Sequence, residues 1–279
     1  MLNIRGKLYD MSRPAVMGIV NVTPDSFFDG GRYTDRDAIR ERLRAVLAEG
    51  ADIVDVGACS TRPGAEQVSA DEEWRRLSVF FDVQRAEFPD AIVSVDTYRS
   101  QIARRSVEEC GAAIINDISG GGIDPDMFAT AASLHVPYVL SHIQGIPENM
   151  QNNPQYDNLI QDICSFFSSK IAYLHQLGMH DIILDPGFGF GKTLEHNYQL
   201  MAQLGKLQIF DLPLLVGISR KSMIYKLLDT KPADCLNGTT VLNTIALLNG
   251  ASIIRVHDVR EAVECVRIVE KIKSKTKDR

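Results

Sequence analysis

Asn21, Asp55, Asp96, Asn116, His142, Asp185, the run Ser219-Arg220-Lys221, Arg255 and His257 share one placement: each stands where an apolar, largely β-branched run stops. One carboxylate so placed has two ordinary roles, a structural ion pair or a cap for the next helix. A whole series is different, because converging Asp, Asn, Lys and Arg groups are costly to desolvate unless they pair closely or hold a ligand. Asp96, Asn116, Asp185 and Lys221 together offer acceptors and donors suited to the edge of a flat heterocycle bearing N–H and carbonyl groups. Arg255, His257 and Arg62 add positive or protonatable groups, which points to a phosphate carried on that heterocycle. Asn21 supplies an oxygen that can help to hold Mg²⁺, an ion that keeps several waters and binds few protein groups beside substrate phosphates.

Other chemistries lack their residues. The stretch DIILDPGFGFGKT (181–193) ends like a phosphate loop, but Gly187 and Gly191 enclose three residues where that loop needs four, and Pro186 has no N–H to donate. We therefore read Asp185 and Phe190 as its informative residues and assign Gly191-Lys192-Thr193 to the start of the next helix. The six histidines show no H-x-H pair for a hydrolytic metal, and His135, His175, His180 and His196 fall in or beside helical stretches. No nucleophile elbow with a Ser-His-Asp order is present, and none of the five cysteines has a neighbouring base. Trp74, with Leu77 and Phe81 at i+3 and i+7, reads as core packing.

The elements that must position these groups are legible from a recurring phrase. EGADIVDVG (49–57), CGAAIINDIS (110–119), LGMHDIILDPG (177–187) and NGASIIRVHD (249–258) each pass from a glycine through a small spacer into a β-branched run. Glycine there is the expected helix C-cap, so each phrase reads as helix end, loop and buried strand. Upstream of the first, Ile39, Leu43, Val46 and Leu47 fall on one helical face behind Thr34 as N-cap. AVMGIVNV (15–22), AIVSVDT (91–97), PYVLSHI (137–143) and PLLVGIS (213–219) bring the strand total to eight. Short, continuously apolar strands alternating with helix-length segments imply a parallel sheet covered by helices. Eight of them in 279 residues predict one α/β domain, a (β/α)8 barrel, with active groups at the C-terminal strand ends. The segments 23–34 and 58–70 are long and glycine-bearing, suited to mobile loops over a site.

Composition sets outer bounds. A net charge of −6 argues against nucleic acid as partner, and the basic tail KIKSKTKDR reads as a solvated helix end. No apolar stretch approaches the ~18 residues of a membrane span, and MLNIRGKLYDMSRPAV lacks the apolar core of a signal peptide. Five scattered cysteines fit a reducing cytoplasm.

Taken in order, MGIVNVTPDSFFDGG (17–31), GADIVDVGACSTRPGAE (50–66), SVDT, INDISGG, HIQGIPENMQ, LDPGFGFGKT, GISRKS and RVHDV resemble dihydropteroate synthases along nearly the whole chain. The resemblance implies a transferase of folate biosynthesis and a target of sulfonamides. It joins 6-hydroxymethyl-7,8-dihydropterin diphosphate to 4-aminobenzoate with Mg²⁺, as a cytoplasmic homodimer. It implies that Asp96, Asn116, Asp185 and Lys221 hold the pterin, that Arg255 stacks on it, and that Arg255, His257 and Asn21 meet the diphosphate and its metal. Asp29, Thr61 and Arg62 would order around the diphosphate. Phe27, Pro63 and Phe190, with Thr61, Arg62, Ser219, Arg220 and Lys221, would surround the aminobenzoate, whose carboxylate would go to Ser222. Asp96, Asp185, Lys221, Arg255 and His257 would carry the chemistry.

Three positions depart from the family pattern: Ala58-Cys59 where Gly-Glu is common, Ser141-His142-Ile143 where Met-His-Met is common, and Phe28 where a small residue is common. Two other readings stay open: a pterin-dependent methyltransferase on the same barrel, and a non-catalytic pterin-binding paralogue. The Asn-Val-Thr-Pro-Asp-Ser-Phe segment and Ser-Arg-Lys-Ser count against the first. The presence of Asn21, Arg62, Arg255 and His257 counts against the second.

Overall fold

The structure is a computed structural model that describes residues 1–23, 35–59, 68–145, 150 and 153–276. Eight parallel strands make the barrel wall: β3 (Ala15–Asn21), β4 (Ile53–Gly57), β5 (Val93–Asp96), β6 (Ile114–Asp117), β7 (Tyr138–Ser141), β8 (Ile182–Asp185), β9 (Leu215–Val216) and β10 (Ile253–Val256). Seven adjacencies are regular ladders, and the ring is completed by a parallel bridge between Leu184 and Leu214, with Leu184 N–H donating to the Pro213 carbonyl at 2.8 Å. This is the (β/α)8 barrel that the strand count predicts. The segment 213–219 narrows to the two-residue β9, and Pro213 before it has no N–H to give to a ladder.

Helices wrap the outside: α1 (Asp35–Ala48), α2 (Ala70–Glu87), α3 (Ser100–Glu108), α4 (Met127–Leu134), α5 (Leu159–Gln176), α6 (Leu194–Ala202), the single turn α7 (Ser222–Tyr225), α8 (Leu236–Leu248) and α9 (Val259–Thr276). A short antiparallel hairpin, β1 (Leu2–Ile4) with β2 (Lys7–Tyr9), precedes the barrel, and its strand character is not evident in the sequence. It brings Leu2 and Ile4 into the barrel's inner core, where Asn3 N–H donates to Asp181.

The two hydrophobic cores explain why the site residues face one another. Val16, Val20, Val54, Val56, Val95, Ile115, Leu140, Leu184 and Val256 pack outward with the helices. Their strand neighbours Met17, Ile53, Ile114, Val139, Ile183, Leu215 and Ile253 pack with one another inside the barrel. Side chains alternate along a strand, so the residue two beyond each inner apolar group also points inward, one layer nearer the C-terminal mouth. From Ile53, Ile114, Val139, Ile183 and Ile253 that step reaches Asp55, Asn116, Ser141, Asp185 and Arg255. The apolar layer is thus a floor for a polar one.

Trp74 is half-buried against the outer core, with the Arg105 guanidinium 3.9 Å from its ring centroid. Thr193 caps α6 with His196 completing the capping box, which accounts for both residues in local terms. His135 ends α4 in the left-handed conformation.

Candidate active site

The polar layer is organised around Arg255. Its Nε donates to Asp55 at 2.6 Å and its Nη2 to Asp96 at 2.7 Å, while Asn116 Nδ2 donates to the two Asp55 oxygens at 3.2 and 3.1 Å. Asp55 is wholly buried. Burial works against the Arg255 charge, but Asp55 and Asp96 overcome it and hold the guanidinium charged. Burial raises Asp96 above the usual carboxylate range while Arg255 pulls it down, leaving an ion pair whose remaining oxygen stays available to a ligand.

Across the barrel Asp185 is buried, with one carboxylate oxygen accepting from Gly187 N–H at 2.8 Å. Burial pushes it up, and Lys221, that N–H and Lys192 pull it down. Lys221 donates to the Phe188 carbonyl, and its Nζ lies 4.3 Å from the Phe190 ring centroid. Burial lowers Lys221 to about 8, with Asp185 opposing. Asp55, Asp96 and Asp185 therefore gather with Arg255 and Lys221 at one mouth of the barrel, where acceptors and donors converge.

Ser219 Oγ and His257 Nδ1 are 3.0 Å apart, and His257 N–H donates to the same hydroxyl at 3.2 Å. Burial and the Arg255 charge lower His257 to about 4, so near neutral pH it is an uncharged ring. Asn21 ends β3 in register with Gly57 and is half-buried. Ser222 opens α7 and lines a cavity of about 250 Å³ with Pro154, Lys192, Thr193, Leu194 and Lys226. The structure corrects one placement. Arg220, expected beside the aminobenzoate, forks onto Asp258 at 2.7 and 2.9 Å and reaches the Ala233 carbonyl, so its guanidinium turns away from the cluster. Phe27, Phe28, Asp29, Thr61, Arg62 and Pro63 lie outside the described residues.

A model of the pterin binding enzyme family matches residues 17–257. Dihydropteroate synthase of Escherichia coli K12 is 44% identical over 268 residues, 95% of this chain and 94% of that one. The chain belongs to the dihydropteroate synthase family. Two solved structures agree with that membership. A Yersinia pestis dihydropteroate synthase in a sulfonamide drug complex superposes with a TM-score of 0.91 at 45% identity, covering 98% of this chain and 99% of the other. A Xanthomonas albilineans dihydropteroate synthase in complex with 7,8-dihydropteroate gives a TM-score of 0.86 at 33% identity, covering 98% of each.

Within that family frame, three residues gain weight that the sequence reading did not give them. Asp55, noted there only as a strand end, is the shared partner of Arg255 and Asn116. Its signal was the two-residue step from Ile53. Arg42 of α1 donates to the Ile19 and His257 carbonyls at 3.2 and 2.8 Å and ties β3 to the end of β10, which no local pattern announces. Lys192, assigned to a helix start, is buried beneath the glycine-rich turn. The departures have ordinary surroundings. The Ser141 hydroxyl is buried without a partner among the described residues, and Ala58 is buried with its carbonyl accepting from Arg76. Cys59 faces Arg99 at 3.6 Å, and burial with nearby Glu73 pushes its thiol up to about 12.

Metal fit follows from the donor types. Among the described residues no three His, Cys, Asp or Glu side chains form a metal cage. Asn21, at the end of β3, is a neutral oxygen donor, which suits an Mg²⁺ held mainly by phosphate oxygens and water.

Proposed function

We propose that this chain condenses 6-hydroxymethyl-7,8-dihydropterin diphosphate with 4-aminobenzoate, giving 7,8-dihydropteroate and pyrophosphate. The observation that carries the reading is the convergence of Asp96, Asn116 and Arg255 on one side of the barrel mouth with Asp185 and Lys221 on the other. A pterin presents an amino group and ring N–H donors beside a carbonyl and ring nitrogens. Asp185, freed on one side of its carboxylate, accepts from the amino edge, Lys221 donates to the carbonyl, and Asn116 and Asp96 meet the opposite edge. Arg255, held flat by Asp55 and Asp96, offers its guanidinium face to the ring.

The reaction breaks the bond between the pterin methylene and the diphosphate oxygen, forms a carbon–nitrogen bond to the aromatic amine, and releases one proton from that nitrogen. As the bond lengthens, positive charge spreads over the pterin and negative charge gathers on pyrophosphate. The carboxylates of Asp96 and Asp185 stabilise the first, and Arg255 with Arg62 the second. His257, uncharged and anchored by Ser219, serves as a hydrogen-bond donor to the diphosphate rather than a fixed cation. Thr61 and Asp29 belong to the same diphosphate shell in this reading. When bound, Mg²⁺ supplies further neutralisation of the departing pyrophosphate, with Asn21 as its protein ligand. No protein nucleophile is needed.

The aminobenzoate ring lies along Phe190, with Phe27 and Pro63 as its other walls, and its carboxylate enters the cavity at Ser222. Lys226 also lines that cavity, and its positive charge suits an anion better than the one-turn α7 alone would. Sulfonamide drugs carry the same para-substituted aniline, so the complex formed by the Yersinia pestis relative supports an aminobenzoate as the second substrate. The Xanthomonas albilineans complex supports the product.

In the same reading a single domain carries both substrate sites, and the chain works in the cytoplasm, where five free thiols are at ease. No helix among the described residues is long and apolar enough to cross a membrane. The protein is a homodimer. Val241, Ile245 and Leu248 of α8 are 50%, 36% and 50% exposed, and Ile268 and Ile272 of the adjoining α9 are 59% and 48% exposed, an apolar stripe that a second copy would cover. The binding assignment is tested by Asp185→Ala: pterin affinity falls about 10- to 100-fold by calorimetry, the loss expected for a charged hydrogen bond. Wild-type affinity and turnover in that variant would remove Asp185 from the site.

A further inference from the structure

The turn between β8 and α6 is held from beneath by a group that the reaction above does not use. Lys192 is 2% exposed, and its Nζ meets His142 Nδ1 at 3.0 Å, the Gly187 carbonyl at 3.0 Å and the Phe190 carbonyl at 3.1 Å. An ammonium has three N–H groups and no lone pair, so three acceptors use all of it. His142 is fitted to accept, because burial and the neighbouring Lys192 charge lower it to about 2 and leave a neutral ring. Burial brings Lys192 down to about 7, with Asp185 opposing.

What Lys192 grips is the backbone that carries two substrate-facing groups. Gly187 gives its N–H to Asp185 and its carbonyl to Lys192. Phe190 gives its carbonyl to Lys192 while its ring meets Lys221. Lys221 also holds the Phe188 carbonyl, so two lysine side chains strap the turn through three of its carbonyls. Close contact with the β7 side is what makes the grip possible. At Gly187, with φ +70, a Cβ would stand 1.9 Å from the His142 carbonyl oxygen, and at Gly191 one would stand 2.5 Å from that of Gln144. Tyr156 adds an outer tie through its hydroxyl to the Gly191 carbonyl at 2.7 Å.

We propose that Lys192, with His142 as its acceptor, is a positioning residue that sets where Phe190 and Asp185 stand and thereby couples the grip on aminobenzoate to the grip on pterin. The proposal rests on the function given above. It accounts for the Gly-Lys at the end of the glycine-rich stretch: the lysine works on the backbone of its own turn.

The test compares Lys192→Met, His142→Gln and His142→Leu with the wild type, each at a temperature well below its melting transition. Lys192→Met removes the ammonium, and KM for 4-aminobenzoate rises about tenfold or more, with a smaller loss of pterin affinity. His142→Gln keeps an oxygen acceptor and stays within about twofold of wild type, whereas His142→Leu shifts in the direction of Lys192→Met. A lysine that only stabilised the fold would lower the melting temperature and leave KM unchanged. Wild-type KM in folded Lys192→Met overturns the proposal. If that variant does not fold, equal KM in the two His142 variants overturns it. Hydrogen exchange separates this failure from failure of the functional reading. Should the wild type form no product, faster exchange of the amides from Gly187 to Phe190 in Lys192→Met, or in His142→Leu than in His142→Gln, supports the anchoring, and unchanged exchange overturns it.

Discussion

Asp55 and Arg255, 200 positions apart in the chain, meet at 2.6 Å inside the barrel, and the same carboxylate takes the amide of Asn116. The pair joins β4 to β10 across the closed sheet and, with Asp96, sets the plane of the guanidinium. Asp55 has no exposed surface, so its role is to hold Arg255 rather than to touch substrate.

Asp55→Asn leaves the Arg255 charge with Asp96 alone. Stability in urea falls by about 3 kcal/mol, the cost of breaking a buried pair from one side. The loss is smaller when Arg255→Met is already present, because the stranded charge is gone. Full additivity in that double-mutant cycle would show that the two residues do not act together.

The barrel and its ring of polar groups were legible because two periodicities coincide. Glycine-capped helix ends mark where strands begin, and the inner alternation carries an apolar floor into a polar layer two residues later, as Ile53 leads to Asp55 and Ile183 to Asp185. Arg220 was not legible. It neighbours Lys221 in sequence, but its φ of +56 swings it to Asp258, a partner 38 residues away. Arg42 and Lys192 were missed for a related reason: both act on backbone carbonyls, and carbonyls leave no mark in a sequence.

The Lys221 ammonium gives the site a pH dependence with two opposite signs. Its pKa is about 8 in the folded chain against 10.5 when unperturbed. Between those values the folded chain holds fewer protons than the unfolded one, so the Lys221 contribution makes stability rise with pH through that window. Binding runs the other way, since the neutral amine donates more weakly to the pterin carbonyl. Calorimetry from about pH 6.5 to about pH 9.5 shows affinity falling above about pH 8, by up to about tenfold per pH unit. In Lys221→Met the affinity is lower throughout and that alkaline limb disappears. A limb that persists in the variant would assign it elsewhere.

The apolar stripe on α8 and α9 sets the expected assembly. Sedimentation velocity gives a species of twice the 31.0 kDa chain mass. Val241→Asp, at a position half-exposed in the isolated chain, yields a folded monomer with an unchanged circular dichroism spectrum. A monomeric wild type, or a dimer indifferent to Val241→Asp, would place the interface away from this stripe or remove it.

The central claim is that one strand-end cluster binds a pterin diphosphate and delivers its methylene to an aromatic amine. Purified protein incubated with 6-hydroxymethyl-7,8-dihydropterin diphosphate, 4-aminobenzoate and Mg²⁺ forms 7,8-dihydropteroate with one equivalent of pyrophosphate. Tight pterin binding with no product at saturating concentrations of both substrates would contradict it.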